Sequence, residues 1–190
     1  IATNEGMQVF GGHGYIAETG MEQFVRDARI AMIYEGANAI QALDLVGRKL
    51  PRDRGRAVMA FFNEVGAFVK EHAGDEAMAP YVKPLEAALG HLQQATMWFM
   101  NNAMAKPDNA GAGAYDYMHL FGLVALGYMW GLIARAALAK KANGADAAAM
   151  EAKLLAGRFF MERTMPESAA HLARISSGAD TIMAMPAEMF

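Results

Sequence analysis

The sequence predicts an all-α fold that ends in an antiparallel helical bundle. Ala, Met and Leu dominate the 190 residues, and runs of β-branched residues are scarce. Apolar residues recur at spacings of three and four, the period of a helix face rather than of a strand. The periodic stretches are separated by glycine, proline and Asn-Gly, residues that stop helices. With 54% hydrophobic residues the chain can bury a sizeable core, and its length fits one domain, or one domain plus a piece of another.

Residues Ile1 to Phe10 read as the tail of a helix, stopped by Gly11-Gly12, with a loop from Gly12 to Gly20. Ile1 is not an initiator methionine, and no charged segment followed by an apolar run marks a signal peptide. The chain is therefore expected to be the C-terminal piece of something longer. A helix from about Met21 to Tyr34 follows, with Phe24, Ala28 and Met32 on one face beside Val25 and Ile33. Asp27, between Arg26 and Arg29, reads as part of a structural ion-pair cluster. Gly36 is the natural break, and Ile40, Leu43 and Val46 start the stripe of a helix from Ala37 to Leu50, stopped by Pro51. Glu35 thus sits at a junction held on both sides. On spacing alone it is either an exposed turn residue or a carboxylate placed for chemistry.

The charged linker Pro51 to Arg56 is the expected domain boundary, dividing the chain into residues 1–52 and 53–190. Beyond it lie four or five helices. Ala57, Phe61, Val65, Phe68 and Val69 stripe the first, which ends near Ala73-Gly74. After Pro80 or Pro84, Leu85, Leu89, Leu92, Thr96 and Phe99 continue the pattern to about Lys106. Pro107 to Gly113 reads as a polar loop, Tyr115 to Ala142 as one long helix, and Asn143-Gly144 as its stop. Asp146 caps a further helix carrying Met150, Leu154, Leu155, Phe159 and Phe160, and Pro166 opens the last. Short connections imply antiparallel packing.

Several function classes find no support. A net charge of −3 gives no broad basic surface, so nucleic acid is not an expected partner. Without cysteine there is neither a disulfide framework nor a thiolate metal site. The five histidines, at 13, 72, 91, 119 and 171, form no i,i+4 pair, so no metal site is expected. Most of the sixteen methionines sit at helical spacing among Leu, Phe and Ala, where they fill gaps in a core. From Tyr117 to Ala134 no charged residue occurs, just long enough to span a bilayer, and Gly127 and Gly131 stand at the spacing that lets helices approach. His119 and the interrupting glycines favour instead the centre of a soluble bundle, so a membrane is not expected.

Three motifs carry a resemblance. Gln8-Val9-Phe10-Gly11-Gly12-His13-Gly14-Tyr15, then Arg26-Asp27-Ala28-Arg29, then Ile33-Tyr34-Glu35-Gly36-Ala37-Asn38-Ala39-Ile40-Gln41 resemble, in order and spacing, the C-terminal part of the acyl-CoA dehydrogenases. The extra length beyond residue 50 and the closing Asp180 to Glu188 resemble the long subgroup with an additional C-terminal helical domain, the methylmercaptopropionyl-CoA dehydrogenases among them.

The resemblance implies a flavin-dependent α,β-dehydrogenation of an acyl-CoA thioester, with Glu35 as the catalytic base that removes the α-proton. It implies cofactor contacts to FAD from Gln8, Gly11 and Gly12, typically to the FAD of a neighbouring subunit, and from Ala37 and Asn38. Ala37 stands where the family often has Thr, so only backbone contact carries over there. Tyr34 and Gly36 would lie against the substrate, and the Glu35 N–H would be one of two donors to the thioester carbonyl. Some relatives place the base on another helix, whereas here Glu35 occupies the usual place. The family further implies a homodimer or larger assembly, an electron acceptor such as electron-transfer flavoprotein, and a cytoplasmic protein. The isolated chain is expected to be inactive and without FAD. The reading from another class is a non-catalytic helical interaction or oligomerisation module derived from the same fold.

Overall fold

The computed structural model describes residues 2–103, 105–144 and 146–189, so the expected helix start at Ile1 lies outside the described residues. The chain is all-α, with no strand among the described residues. It forms two compact units, Ile1–Gln41 and Ala42–Phe190, dividing inside a helix upstream of the linker Pro51 to Arg56.

The first unit contains α1 (Ala2–Val9), the short α2 (Gly12–Tyr15), a 3-10 turn Ala17–Thr19 and α3 (Met21–Ile30). The segment expected as a loop from Gly12 to Gly20 is therefore mostly helical turns. Gly14 is the reason: it is buried against α1, where a Cβ would lie 2.9 Å from the Phe10 Cβ and closer still to the Met7 carbonyl. The stripe expected to run through Phe24, Met32 and Ile33 is cut where α3 ends at Ile30, and those residues stay 58%, 40% and 53% exposed. So short a unit cannot close a core of its own.

The second unit begins within α4 (Asn38–Asp44), which runs into a π-helical turn Leu45–Lys49. Then come α5 (Arg56–His72), α6 (Ala79–Asn102), α7 (Pro107–Ala142), α8 (Ala147–Phe159), a second π-helical turn Phe160–Thr164, α9 (Glu167–Ser176) and α10 (Asp180–Met183). Helix α7 is the axis, packed most extensively by α6, α9 and α8. Paired side chains give the directions. Gly113 lies against Phe99 and Gly127 against Leu85, so α6 and α7 run antiparallel. Trp130 meets Gly157 and Lys141 bonds Glu151, which makes α8 antiparallel to α7 as well. Asp116 bonds His171 while Gly113 meets Ile175, setting α9 antiparallel to α7.

Helix α5 buries Val58, Phe62, Val65, Phe68 and Val69, so the inward stripe begins at Val58 and Phe62 rather than at Ala57 and Phe61. The Leu85, Leu89, Leu92, Thr96 and Phe99 stripe of α6 is buried throughout, as the spacing requires. Thr96 Oγ1 bonds both the Leu92 carbonyl and the Tyr117 hydroxyl at 2.8 Å, which satisfies the polar groups at the bundle centre. Burial pushes the Tyr117 phenol up to about 12.

Residues Pro107 to Gly113 are not a loop but the first turns of α7. Proline is at home in a first turn, where its missing N–H has no partner to lose. Gly113 serves contact rather than flexibility, because a Cβ there would come within 2.8 Å of the Phe99 ring. The helix is long and apolar enough to cross a membrane by length and composition. The space a Cβ would take at Gly127 and Gly131 is nevertheless filled from within the chain, at Gly127 by Met165 and at Gly131 by the Phe68 ring, which such a Cβ would meet at 2.7 Å. Asn143-Gly144 ends the helix, and Asp146 caps α8 by accepting from Ala148 N at 3.0 Å and Ala149 N at 3.2 Å.

Candidate functional site

The stretch around Glu35 is a turn, not the end of a helix. Helix α3 stops at Ile30, four residues short of the expected Tyr34, and the chain tightens. Met32 N bonds the Arg29 carbonyl at 3.0 Å, Ile33 N the Ile30 carbonyl at 3.0 Å, and Tyr34 N the same carbonyl at 3.1 Å. Glu35 and Gly36 then both enter the left-handed region, with φ of 52° and 99°. That conformation is free for glycine but costs a side-chain-bearing residue about 1–2 kcal/mol. Two hydrogen bonds close the turn: Gln41 Nε2 donates to the Glu35 carbonyl at 3.3 Å, and Asn38 N to the Met32 carbonyl at 3.1 Å. Gly36 is doubly required, since a Cβ would also lie 2.5 Å from Gln41 Nε2.

The Glu35 side chain is exposed and joins no hydrogen bond or ion pair among the described residues, and its backbone N–H has no backbone acceptor there. The residue carries the strain of the turn without using its carboxylate to hold it. Tyr34, Gly36 and Ala37 are exposed in the same turn, and Asn38, half-buried, opens α4. The ion-pair cluster expected at Asp27 does not form among the described residues. Asp27 instead accepts from Gln23 Nε2 at 2.6 Å, one helical turn back.

Gln8, Gly11 and Gly12 build a second turn at the end of α1. Gly11 N bonds the Gln8 carbonyl at 2.9 Å, Gly14 N bonds the Gly11 carbonyl at 2.9 Å, and Gly11 has φ 58°. The glycines divide by task. Gly14 is packed, whereas a Cβ on Gly11 or Gly12 would meet nothing within 4 Å, leaving open backbone that a ligand can approach. No hydrogen bond joins this turn to the Glu35 turn among the described residues.

A polar cluster on the seam of α7 and α9 is invisible in the linear sequence. Asp116 Oδ1 bonds His171 Nδ1 at 2.7 Å and Arg174 at 3.3 Å, and the His119 ring stacks on His171 with centroids 5.8 Å apart. Burial first, and then the neighbouring His171, hold the His119 pKa below the ordinary histidine range. The available signal was two i,i+3 pairs, Asp116 with His119 and His171 with Arg174, that share no sequence neighbourhood. Among the described residues no group of three or more candidate metal ligands converges.

Comparison with known proteins gives two family matches on separate stretches of the chain. A family model described as "Acyl-CoA dehydrogenase, C-terminal domain" matches residues 1–50, and one described as "Acetyl-CoA dehydrogenase C-terminal like" matches residues 61–186. The chain is 37% identical over 179 residues to the 3-methylmercaptopropionyl-CoA dehydrogenase of Ruegeria pomeroyi, covering 94% of this chain and 30% of that protein. It is 29% identical over 171 residues to a broad-specificity linear acyl-CoA dehydrogenase of Mycobacterium tuberculosis, covering 85% of this chain and 28% of the relative. Over 48 residues, 25% of this chain and 12% of the relative, it is 48% identical to the mitochondrial short-chain specific acyl-CoA dehydrogenase of Bos taurus. The chain thus spans about 30% of the length of the long relatives it matches.

Proposed function

Since the chain belongs to the acyl-CoA dehydrogenase family, we propose that its Glu35 turn supplies the base for α,β-dehydrogenation of an acyl-CoA thioester in a longer cytoplasmic enzyme. The observation that carries this reading is the Glu35 turn itself. A non-glycine residue is held with φ 52°, and both its carboxylate and its N–H are left without partners among the described residues. Strain retained at a residue that stabilises nothing nearby is the pattern of a functional position.

The chemistry asks two things of this turn. The carboxylate must take a proton from the thioester α-carbon, an acid far weaker than a protonated carboxyl group. The negative charge developing on the thioester oxygen must then meet a donor fixed in advance. Glu35 can supply both, the base through its side chain and the donor through its own N–H. Gly36 leaves room for the Gln41 side chain, whose bond to the Glu35 carbonyl holds the turn in register. Tyr34 would flank the substrate.

Gln8, Gly11 and Gly12, with Ala37 and Asn38, are the residues that would hold FAD. The open backbone at Gly11 and Gly12 fits close approach by such a group. FAD, when bound, supplies the acceptor for the β-hydride. The exposed apolar face of the first unit suits cover by the rest of a longer enzyme, as a homodimer or larger assembly, with electron-transfer flavoprotein as the proposed acceptor of electrons.

The test is exchange of the α-proton. The full-length enzyme, incubated with an acyl-CoA in heavy water, is expected to introduce deuterium at the α-carbon, and Glu35→Gln to stop it. Exchange that persists in the variant would place the base elsewhere. A variant that fails to fold would make Glu35 structural, consistent with a non-catalytic helical module.

A further inference from the structure

The second unit contains a cleft of about 490 Å³, lined from several of its helices. Val46 contributes from the π-helical turn, Leu50 from the residue after it, Val58 from α5, Phe99 and Met100 from α6, and Pro107 and Ala110 from α7. Its size falls within the range of small-molecule sites, about 300–1,000 Å³. The lining is apolar with few exceptions. Thr96 borders it, but the Thr96 hydroxyl is engaged by the Leu92 carbonyl and Tyr117.

Among the described residues, Arg54 is the one charged residue in the lining. No carboxylate lies within ion-pair distance of its guanidinium among the described residues. The adjacent Asp53 is turned to other work, accepting from Ala57 N at 3.0 Å to cap α5 and facing Arg56 at 3.9 Å. Arg54 also stands with φ 58°, directly before Gly55 with φ 78°. A side-chain-bearing residue kept left-handed beside a glycine is strained, and nothing in the turn requires arginine there. What the position does is place an arginine, without an ion-pair partner among the described residues, in the lining of an apolar cleft.

We propose that this cleft binds a single-chain alkyl carboxylate, with the chain between Val58 and Phe99 and the head group on Arg54. A lining whose only polar side chains among the described residues are Thr96 and Arg54 suits one charged head group on an apolar chain rather than a polyanion. A second cavity of about 580 Å³ lies against the first, sharing Val46, Gly47, Pro107 and Ala110 in its lining, with Asp108 on its own side. The cleft and the Glu35 turn share no residue. Arg54 falls between the two family-matched segments, 1–50 and 61–186.

Titration calorimetry on the full chain with hexanoate, octanoate and decanoate tests the proposal. Affinity should rise about fourfold per added methylene until the cleft is filled. Arg54→Gly, which relaxes the backbone and so leaves folding intact, should weaken decanoate about tenfold while leaving neutral decanamide unchanged. Ala103→Trp, which fills the cleft, should remove both. Three results would each overturn the proposal: no binding of any carboxylate, equal decanoate affinity in Arg54→Gly, or binding to phosphatidylglycerol vesicles without binding of decanoate in solution.

Discussion

Gln41 donates through Nε2 to the backbone carbonyl of Glu35 at 3.3 Å, clasping a turn in which Glu35 has φ 52°. The glutamine therefore holds the backbone of the residue it serves and leaves the carboxylate untouched. This separates two properties that are usually linked, the stability of the turn and the chemistry of its acid.

Glu35→Gly should stabilise the protein while removing the base. Glycine takes the left-handed conformation without penalty, so the melting curve is expected to shift upward by an amount equivalent to about 1 kcal/mol. Calorimetric melting of the full-length enzyme checks this, and a fall in stability would mean the side chain supports the fold.

The two glycines of α7 make unequal predictions. Gly131→Ala drives a methyl against the Phe68 ring, which is 5% exposed and hemmed by His72 at 4.8 Å and Tyr128 at 5.4 Å, so it should cost about 2–3 kcal/mol. Gly127→Ala meets chiefly the flexible end of Met165 and should cost about 1 kcal/mol. Chemical denaturation of the two variants ranks them, and the reverse order would contradict the packing described.

Where the bundle begins can be read by truncation. Ala42 and Val46 are 0% and 6% exposed in the core of the second unit, upstream of the Pro51 linker. A chain starting at residue 42 should be more stable than one starting at residue 53 by about 2 kcal/mol, the worth of one buried valine and its neighbour. Equal melting temperatures by circular dichroism would make the linker the true edge of the core.

His119 predicts a pH dependence. Its folded pKa lies below its unfolded one, because burial and then the nearby His171 disfavour the charged form, against the opposing pull of Asp116 and Glu167. The unfolded chain therefore takes up this proton first as pH falls below about 6.5. Stability from neutral His119 is present above that value and lost on the way down to the folded pKa. His119→Gln should flatten the fall in melting temperature between about pH 7 and pH 5.5. Parallel curves for the two proteins would remove His119 from the account.

Much of the bundle was legible because its signals are local. Asp146 followed by the Met150 and Leu154 stripe, Asn143-Gly144, and the Leu85 to Phe99 stripe each announce a helix start, stop or face within one window. Pro107 to Gly113 misled because Gly113 answers to Phe99 in another helix, a contact that no window contains. The Asp116–His171 pair escaped for the same reason, its members lying 55 residues apart. At the candidate site the motif marked Gly36 as the break, yet the strain is shared with Glu35. Side-chain spacing carries no sign of a backbone that turns left-handed at a glutamate.

The central claim is that Glu35 carries the proton transfer, and rapid-mixing measurement of flavin reduction by an acyl-CoA tests it most directly. The full-length Glu35→Gln enzyme keeps the shape of the side chain but not its proton affinity. Its rate should fall at least about 10³-fold, within the range for loss of a general base, with FAD content and melting temperature little changed. A fall of less than about tenfold, in a variant that still binds FAD and thioester, would contradict the account.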